Sequence, residues 1–194
     1  MSAQTSYSFN TKKGGAGGIY DLAPYVVNTF INESATGAVK PGMGVVRGTT
    51  AGVHAKKASA VTDIFEGILT NRLTTERDLE GNIYVRNKTA LGVMEYGIIW
   101  GLLKANDAPA YGDAVYLVCT GDDAGTFTKT AGANTMAINA RFVGGADNGV
   151  APIELQQKNV VDATLGVAST TVLGGIKVGT GLAIDANGVL SVNG

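Results

Sequence analysis

Cysteine, histidine and proline are nearly missing from this chain: one Cys, one His and four Pro in 194 residues. A lone cysteine, Cys119, excludes an internal disulfide framework. Its place in the apolar run Val115-Tyr116-Leu117-Val118-Cys119 reads as a small buried hydrophobe, not a nucleophile. The single histidine, His54, sits in the polar stretch Gly52-Val53-His54-Ala55-Lys56-Lys57, predicted to be exposed, with no second His or Cys nearby. A metal site and an acid–base role are therefore not assigned to it. Long apolar runs are also absent. Stretches such as Gly97 to Leu103 fall far short of the roughly 20 residues that a membrane-spanning helix needs. The opening Met1-Ser2-Ala3-Gln4-Thr5-Ser6 lacks a basic region followed by an apolar stretch, so no secretory signal is expected and synthesis in the cytoplasm is the default.

Charge is scarce too. Only 16% of residues are charged, the net charge is -1 and the pI is about 5.8, which argues against nucleic acid as a partner. Against this, hydrophobic residues make up 45% of the chain, ample for a packed core.

No constellation of catalytic groups emerges. Gly14-Gly15-Ala16-Gly17-Gly18 lacks the Gly-Lys-Ser/Thr ending of a phosphate-binding loop, and no strand precedes it. Asp63, Glu66, Glu76, Asp78 and Glu80 read as a charged loop region rather than a carboxylate pair. Arg72, Arg77 and Arg86 with Tyr84 form one basic, aromatic group in a slightly acidic chain, weak support for nucleic-acid binding. Asp122 and Asp123 bring too few oxygen ligands for calcium. The reading is a non-enzyme, with no catalytic residue, metal or cofactor.

What the chain does have is glycine, 28 residues of it, set between apolar runs that favour strands. Val39 to Val46 reads as a strand end, a Pro-Gly turn and a second strand. Further strands are predicted at Asp63–Leu69, Ile83–Arg86, Ala114–Cys119, Thr126–Thr128, Ile138–Val143 and Gly149–Leu155. Thr89 to Leu103, the most hydrophobic stretch, reads as strand because Gly92, Gly97 and Gly101 weaken a helix there. Asp21 to Glu33 is the best place for a short helix, although Val26, Val27, Thr29 and Ile31 oppose it. Near the C-terminus, Asn187-Gly188 between two apolar alternations signals a β-hairpin. The predicted fold is all-β: a compact β-barrel or sandwich, with a flexible N-terminal arm over residues 1–18, a main domain over 19–157 and a C-terminal β-hairpin extension over 158–194.

Several stretches in fixed order resemble the phage structural cement proteins, small β-rich proteins on the outside of tailed-phage heads. They are Gly17-Gly18-Ile19-Tyr20-Asp21-Leu22, Glu33-Ser34-Ala35-Thr36-Gly37, Pro41-Gly42-Met43-Gly44-Val45-Val46 and Phe65-Glu66-Gly67-Ile68. Val93-Met94-Glu95-Tyr96-Gly97-Ile98-Ile99-Trp100, Ala108 to Tyr116 and Ala140 to Gly144 complete the series. The tail from Thr170 to Leu182 is similar to a segment of phage head and tail fibres, where such segments form trimeric β-structures.

The resemblance implies a structural virion protein that is made in the host cytoplasm, binds the outer capsid surface and stabilises the head. Its partners would be the major capsid protein and other copies of itself, as a homotrimer, with neither nucleic acid nor membrane involved. Phe9, Lys12, Lys13, Gly14, Gly15, Gly17, Gly18 and Tyr20 are the expected capsid-binding residues. Val172, Leu173, Ile176, Val178, Leu182, Ile184, Val189 and Leu190 are the expected oligomerisation residues. The alternative is a fibre-type module that binds a host surface or carbohydrate.

Overall fold

Successive side chains of a strand point to opposite faces, so a strand buried on both faces reads as an unbroken apolar run. The run from residue 90 to 102 is of this kind, and it forms the longest strand of the protein. The computed structural model describes residues 13–72, 76, 77, 79, 83, 85–156 and, as backbone, 182–184 and 190–192. Every regular element among them is a strand: β1 (Val26–Asn32), β2 (Gly44–Arg47), β3 (His54–Lys57), β4 (Phe65–Leu69), β5 (Ala90–Leu102), β6 (Ala114–Val118), β7 (Phe127–Thr128), β8 (Thr135–Phe142), β9 (Val150–Leu155), β10 (Leu182–Ile184) and β11 (Leu190–Val192).

The first five strands close into a barrel in the order β1-β3-β2-β4-β5, because β5 also pairs back onto β1. The β1–β3 pair is parallel and the others are antiparallel. The barrel interior holds Phe30, Val39, Val45, Ala55, Leu69, Val85, Leu91 and Val93. The second half of β5 changes partners. Gly97 to Leu102 pair with β9, which leads on through β8 and β6 to β7.

Alternation along β2, β4 and β5 then separates two cores. Val45, Leu69 and Val93 face into the barrel, while their neighbours Val46, Ile68 and Met94 pack with Leu117, Phe127, Phe142 and Ile153 of the second sheet. Phe127 and Phe142 are fully buried, and truncating either to Ala would cost about 3–5 kcal/mol. Cys119 is buried in this second core. Burial pushes its thiol upward, with the Asp63 charge adding, as befits a packing residue.

Asp21 to Glu33 contains strand β1 and no helix among its described residues. The β-branched residues prevail because pairing with β5 over six positions supplies their backbone hydrogen bonds. Of the strand expected over Ile83–Arg86, the described residues show one isolated bridge, Arg77 to Ile83, and Tyr84 lies outside them. Conversely β3 was not expected: of His54-Ala55-Lys56-Lys57 only Ala55 is buried, too little apolar signal to mark a strand. At the C-terminus, β10 and β11 pair antiparallel, with Ile184 opposite Leu190. The chain divides into two compact units, Met1–Lys158 and Asn159–Gly194.

Gly97 is where β5 passes from one partner set to the other, at φ 115, a conformation that residues with a Cβ rarely adopt. A Cβ there would also stand 2.6 Å from Tyr25 Cβ. Gly97→Ala is expected to lower unfolding free energy by about 2–4 kcal/mol from strain and overpacking together. Gly52→Ala, at positive φ in open space, should cost only about 1–2 kcal/mol. Urea unfolding of the two variants checks the difference.

Candidate functional site

A glycine-rich strap lies against the outer edge of β5. Gly17 N–H donates to Trp100 O at 2.8 Å, Trp100 N–H to Gly18 O at 2.9 Å, and Tyr20 N–H to Ile98 O at 3.0 Å. Ile19 forms a bridge with Ile99. The segment thus adds a short strand to the edge that β5 exposes opposite β9. Its glycines have a steric reason: a Cβ on Gly14 would fall inside the Trp100 ring system. The strap leaves Trp100 only 6% exposed, with the Tyr20 ring tilted beside it at 5.5 Å between centroids.

At its N-terminal end the strap is pinned electrostatically, where Lys13 N–H donates to Asp147 Oδ2 at 2.7 Å. Asp147 belongs to the turn that connects β8 to β9. Together Lys13, Tyr20, Trp100, Gly144, Gly145, Ala146, Asp147 and Pro152 line a cleft of about 590 Å³.

Of the residues expected to bind a capsid, Lys13, Gly14, Gly15, Gly17, Gly18 and Tyr20 are therefore gathered along one edge of β5. Phe9 and Lys12 lie outside the described residues. So do the expected oligomerisation residues Val172, Leu173, Ile176, Val178 and Val189, whereas Leu182 and Ile184 belong to β10 and Leu190 to β11. Trp100, Asp147 and Pro152 were not expected at a site. Nothing in sequence links them to residues 13–20, since the strand pairing alone brings them together.

A second cleft, of about 630 Å³, is lined by Ile31, Asn32, Glu33, Thr49, His54, Lys56, Asn87 and Lys88. His54 is half-buried here rather than exposed, with Nδ1 2.9 Å from Glu33 Oε1. Glu33 Oε2 accepts the Thr49 N–H at 2.7 Å. That hydrogen bond holds the Glu33 carboxyl below its ordinary value against a smaller opposing effect of desolvation, with His54 and Lys56 contributing. A histidine beside a carboxylate is two parts of an acid–base arrangement, but this carboxylate is committed to fixing the turn at residue 49. No group of three His, Cys, Asp or Glu among the described residues is placed to hold a metal.

The other acidic side chains are spread over separate local contacts. Glu66 pairs with Arg47 and Glu76 with Arg86, each at 2.7 Å. Asp63 accepts the Ser59 and Ala60 N–H groups; burial pushes its carboxyl up, but these bonds and Lys56 bring it below the ordinary value. Of the basic group read from the sequence, Arg72 lies over the Tyr25 ring and Arg86 pairs with Glu76, while Tyr84 lies outside the described residues.

The chain is thus an all-β protein with a glycine-rich strap packed over Trp100 on its own sheet. The chain belongs to the structural cement protein family, described as "Structural cement protein (E217 gp24/Pam3 gp6)", which it matches over residues 3–156. Among solved structures it is similar to a chain of the capsid of Myoviridae phage XM1, with 19% identity, a TM-score of 0.65, and coverage of 81% of this chain and 99% of that one. A head-fibre base of bacteriophage phi29, gp8.5, matches at 15% identity and a TM-score of 0.37, over 69% of this chain and 95% of that one. No protein of curated function matches.

Two outcomes are expected. Gly14→Val should lift the strap, and because Trp100 is the only tryptophan, its emission should shift to the red in the folded protein. The depressed carboxyls of Glu33 and Asp63 stabilise the fold at pH values above their unfolded-state ionisation, and this contribution is lost as pH falls through their folded values. The double variant Glu33→Gln/Asp63→Asn should therefore lose less thermal stability than wild type between about pH 6 and pH 3, measured as the melting midpoint across that range.

Proposed function

We propose that this cement protein works from the outer surface of a phage head, binding the major capsid protein as a homotrimer and stabilising the assembled lattice. Family membership supports the role. A symmetric oligomer suits a lattice of repeated, symmetric sites. Each protomer then needs only a modest contact, and linked contacts reinforce one another through effective concentration. A ligand that binds the assembled lattice and not its parts stabilises that lattice by mass action.

The division of labour follows the chain. Residues 1–18 grip the capsid, through Phe9, Lys12 and Lys13 together with Gly14, Gly15, Gly17 and Gly18, and Tyr20 beside them. The β domain covers the surface. Residues 158–194 join subunits through Val172, Leu173, Ile176, Val178, Leu182, Ile184, Val189 and Leu190. The observation that carries the gripping role is the strap itself: hydrogen bonds to β5 fix its base, so the preceding residues start from a defined point on the surface.

Removing residues 1–12 spares the strap, so the variant should keep its melting midpoint and its Trp100 emission while its occupancy on purified heads falls at least tenfold at limiting concentration. Unchanged occupancy would refute the gripping role. Ending the chain at Gln157 should reduce the mass seen by light scattering to that of a monomer. An unchanged mass would place the subunit contacts elsewhere.

A further inference from the structure

Three residues of the β8–β9 connection stay out of the ladder that joins the two strands. Val143 N–H donates to Pro152 O at 3.0 Å and Asp147 N–H to Val150 O at 2.8 Å, so Gly144, Gly145 and Ala146 all stand opposite the single residue Ala151. Among the described residues, the backbone of these three neither donates nor accepts a hydrogen bond. All three line the cleft beside the strap. Gly144 lets this backbone close on Pro152, since a Cβ there would stand 2.8 Å from Pro152 Cγ.

The charges of the cleft are unevenly satisfied. Each oxygen of the Asp147 carboxylate accepts a bond from the chain itself, Oδ2 from Lys13 N–H and Oδ1 from Asn148 Nδ2, both at 2.7 Å. The Lys13 ammonium, by contrast, is exposed and makes no ion pair or hydrogen bond among the described residues. Tyr20, Trp100 and Pro152 give the cleft an apolar wall. Each feature calls for its complement. Bare N–H and C=O groups are matched by a second peptide backbone, and the wall by an apolar side chain. An unpaired ammonium is matched by a carboxylate, in a charge-assisted bond about twice as strong as a neutral one.

We infer that this cleft binds an extended protein segment that carries an Asp or Glu side chain next to apolar residues, with its backbone along Gly144 to Ala146 and its carboxylate on Lys13. The inference rests on the capsid-binding reading above, under which the segment belongs to the major capsid protein, and adds the chemistry that is recognised. A second copy of this chain offers no such segment among its described residues. Most of its acidic side chains accept bonds from their own chain, as Asp21, Asp107 and Asp113 do from the N–H groups of Ala23, Lys129 and Ala110. The exceptions are Glu95, held within β5, and Asp122 and Asp123, in the turn that Ala124 N–H closes on Gly121 O.

The test titrates the full chain with two blocked tripeptides, acetyl-Leu-Glu-Leu-amide and acetyl-Leu-Gln-Leu-amide, and follows the backbone amide resonances. The glutamate peptide should shift the Gly144, Gly145 and Ala146 amides saturably, and the glutamine peptide should bind at least fivefold more weakly. Lys13→Gln, which keeps the backbone N–H on Asp147, should bring the glutamate peptide down to the glutamine level. Lys57→Gln, on β3, should bind like wild type. Equal binding of the two peptides, or no shift at these amides, overturns the assignment. On heads assembled without the protein, Lys13→Gln should lose occupancy at least fivefold at limiting concentration, with light-scattering mass unchanged. Unchanged occupancy overturns the cleft as a capsid contact, and a lower mass makes a second copy the occupant instead. If the peptide results hold while wild type fails to bind heads, the capsid reading falls and the recognition of acidic segments stands.

Discussion

The fold depends on one strand serving two sheets. β5 gives its first half to the barrel, through β1 and β4, and its second half to the sheet led by β9. Apart, the barrel would have only a thin core, and the second sheet would have an open edge as well. Joined along β5, the outer face of β2-β4-β5 becomes the floor on which Phe127, Phe142 and Ile153 pack. The constraint is steric as well as energetic. A strand that changes partners midway must bend there, and Gly97 supplies the bend at a backbone angle other residues avoid.

The surface features follow from the same strand. Because β9 pairs with only one edge of the second half of β5, the other edge stays open, and an open edge accepts an added strand. The strap fills it with glycines that tolerate the Trp100 ring. Beside it, Gly144 to Ala146 leave the β8–β9 ladder, and a bare stretch of backbone is the product. Strap and cleft therefore stand side by side for a backbone reason. The surface ion pairs, such as Arg141 with Glu154 and Arg86 with Glu76, contribute little to stability by comparison, since exposed pairs are typically worth under about 1 kcal/mol.

Much of the strand content was legible from residue order. Runs bounded by glycine and aspartate, such as Ala114–Val118 and Val150–Leu155, alternate or bury both faces as their sequences suggest. β3 was not legible, because an edge-like strand of lysine and histidine carries no apolar period; its place is set by pairing with β2 and β1. β1 was ambiguous because local propensity is weak where tertiary pairing decides. The site was half legible. The glycines and Tyr20 stood out as an unusual segment, but their partners Trp100, Asp147 and Pro152 lie some 80 to 140 residues further along the chain, a separation that residue patterns do not span.

Composition and pattern by themselves determined the all-β class, the scarcity of catalytic and metal-binding groups, and, through motif order, the resemblance to cement proteins. These properties are local, read over windows of a few residues, and they survive without knowledge of contacts. Only the tertiary structure decided that β5 is shared, that His54 meets Glu33, that the glycine segment is a strap on the chain's own sheet, and that Lys13 shares a cleft with the bare backbone of Gly144 to Ala146. Each of those depends on which distant strand occupies which edge, and edge choice is settled by the burial of whole faces, not by the preference of any one residue.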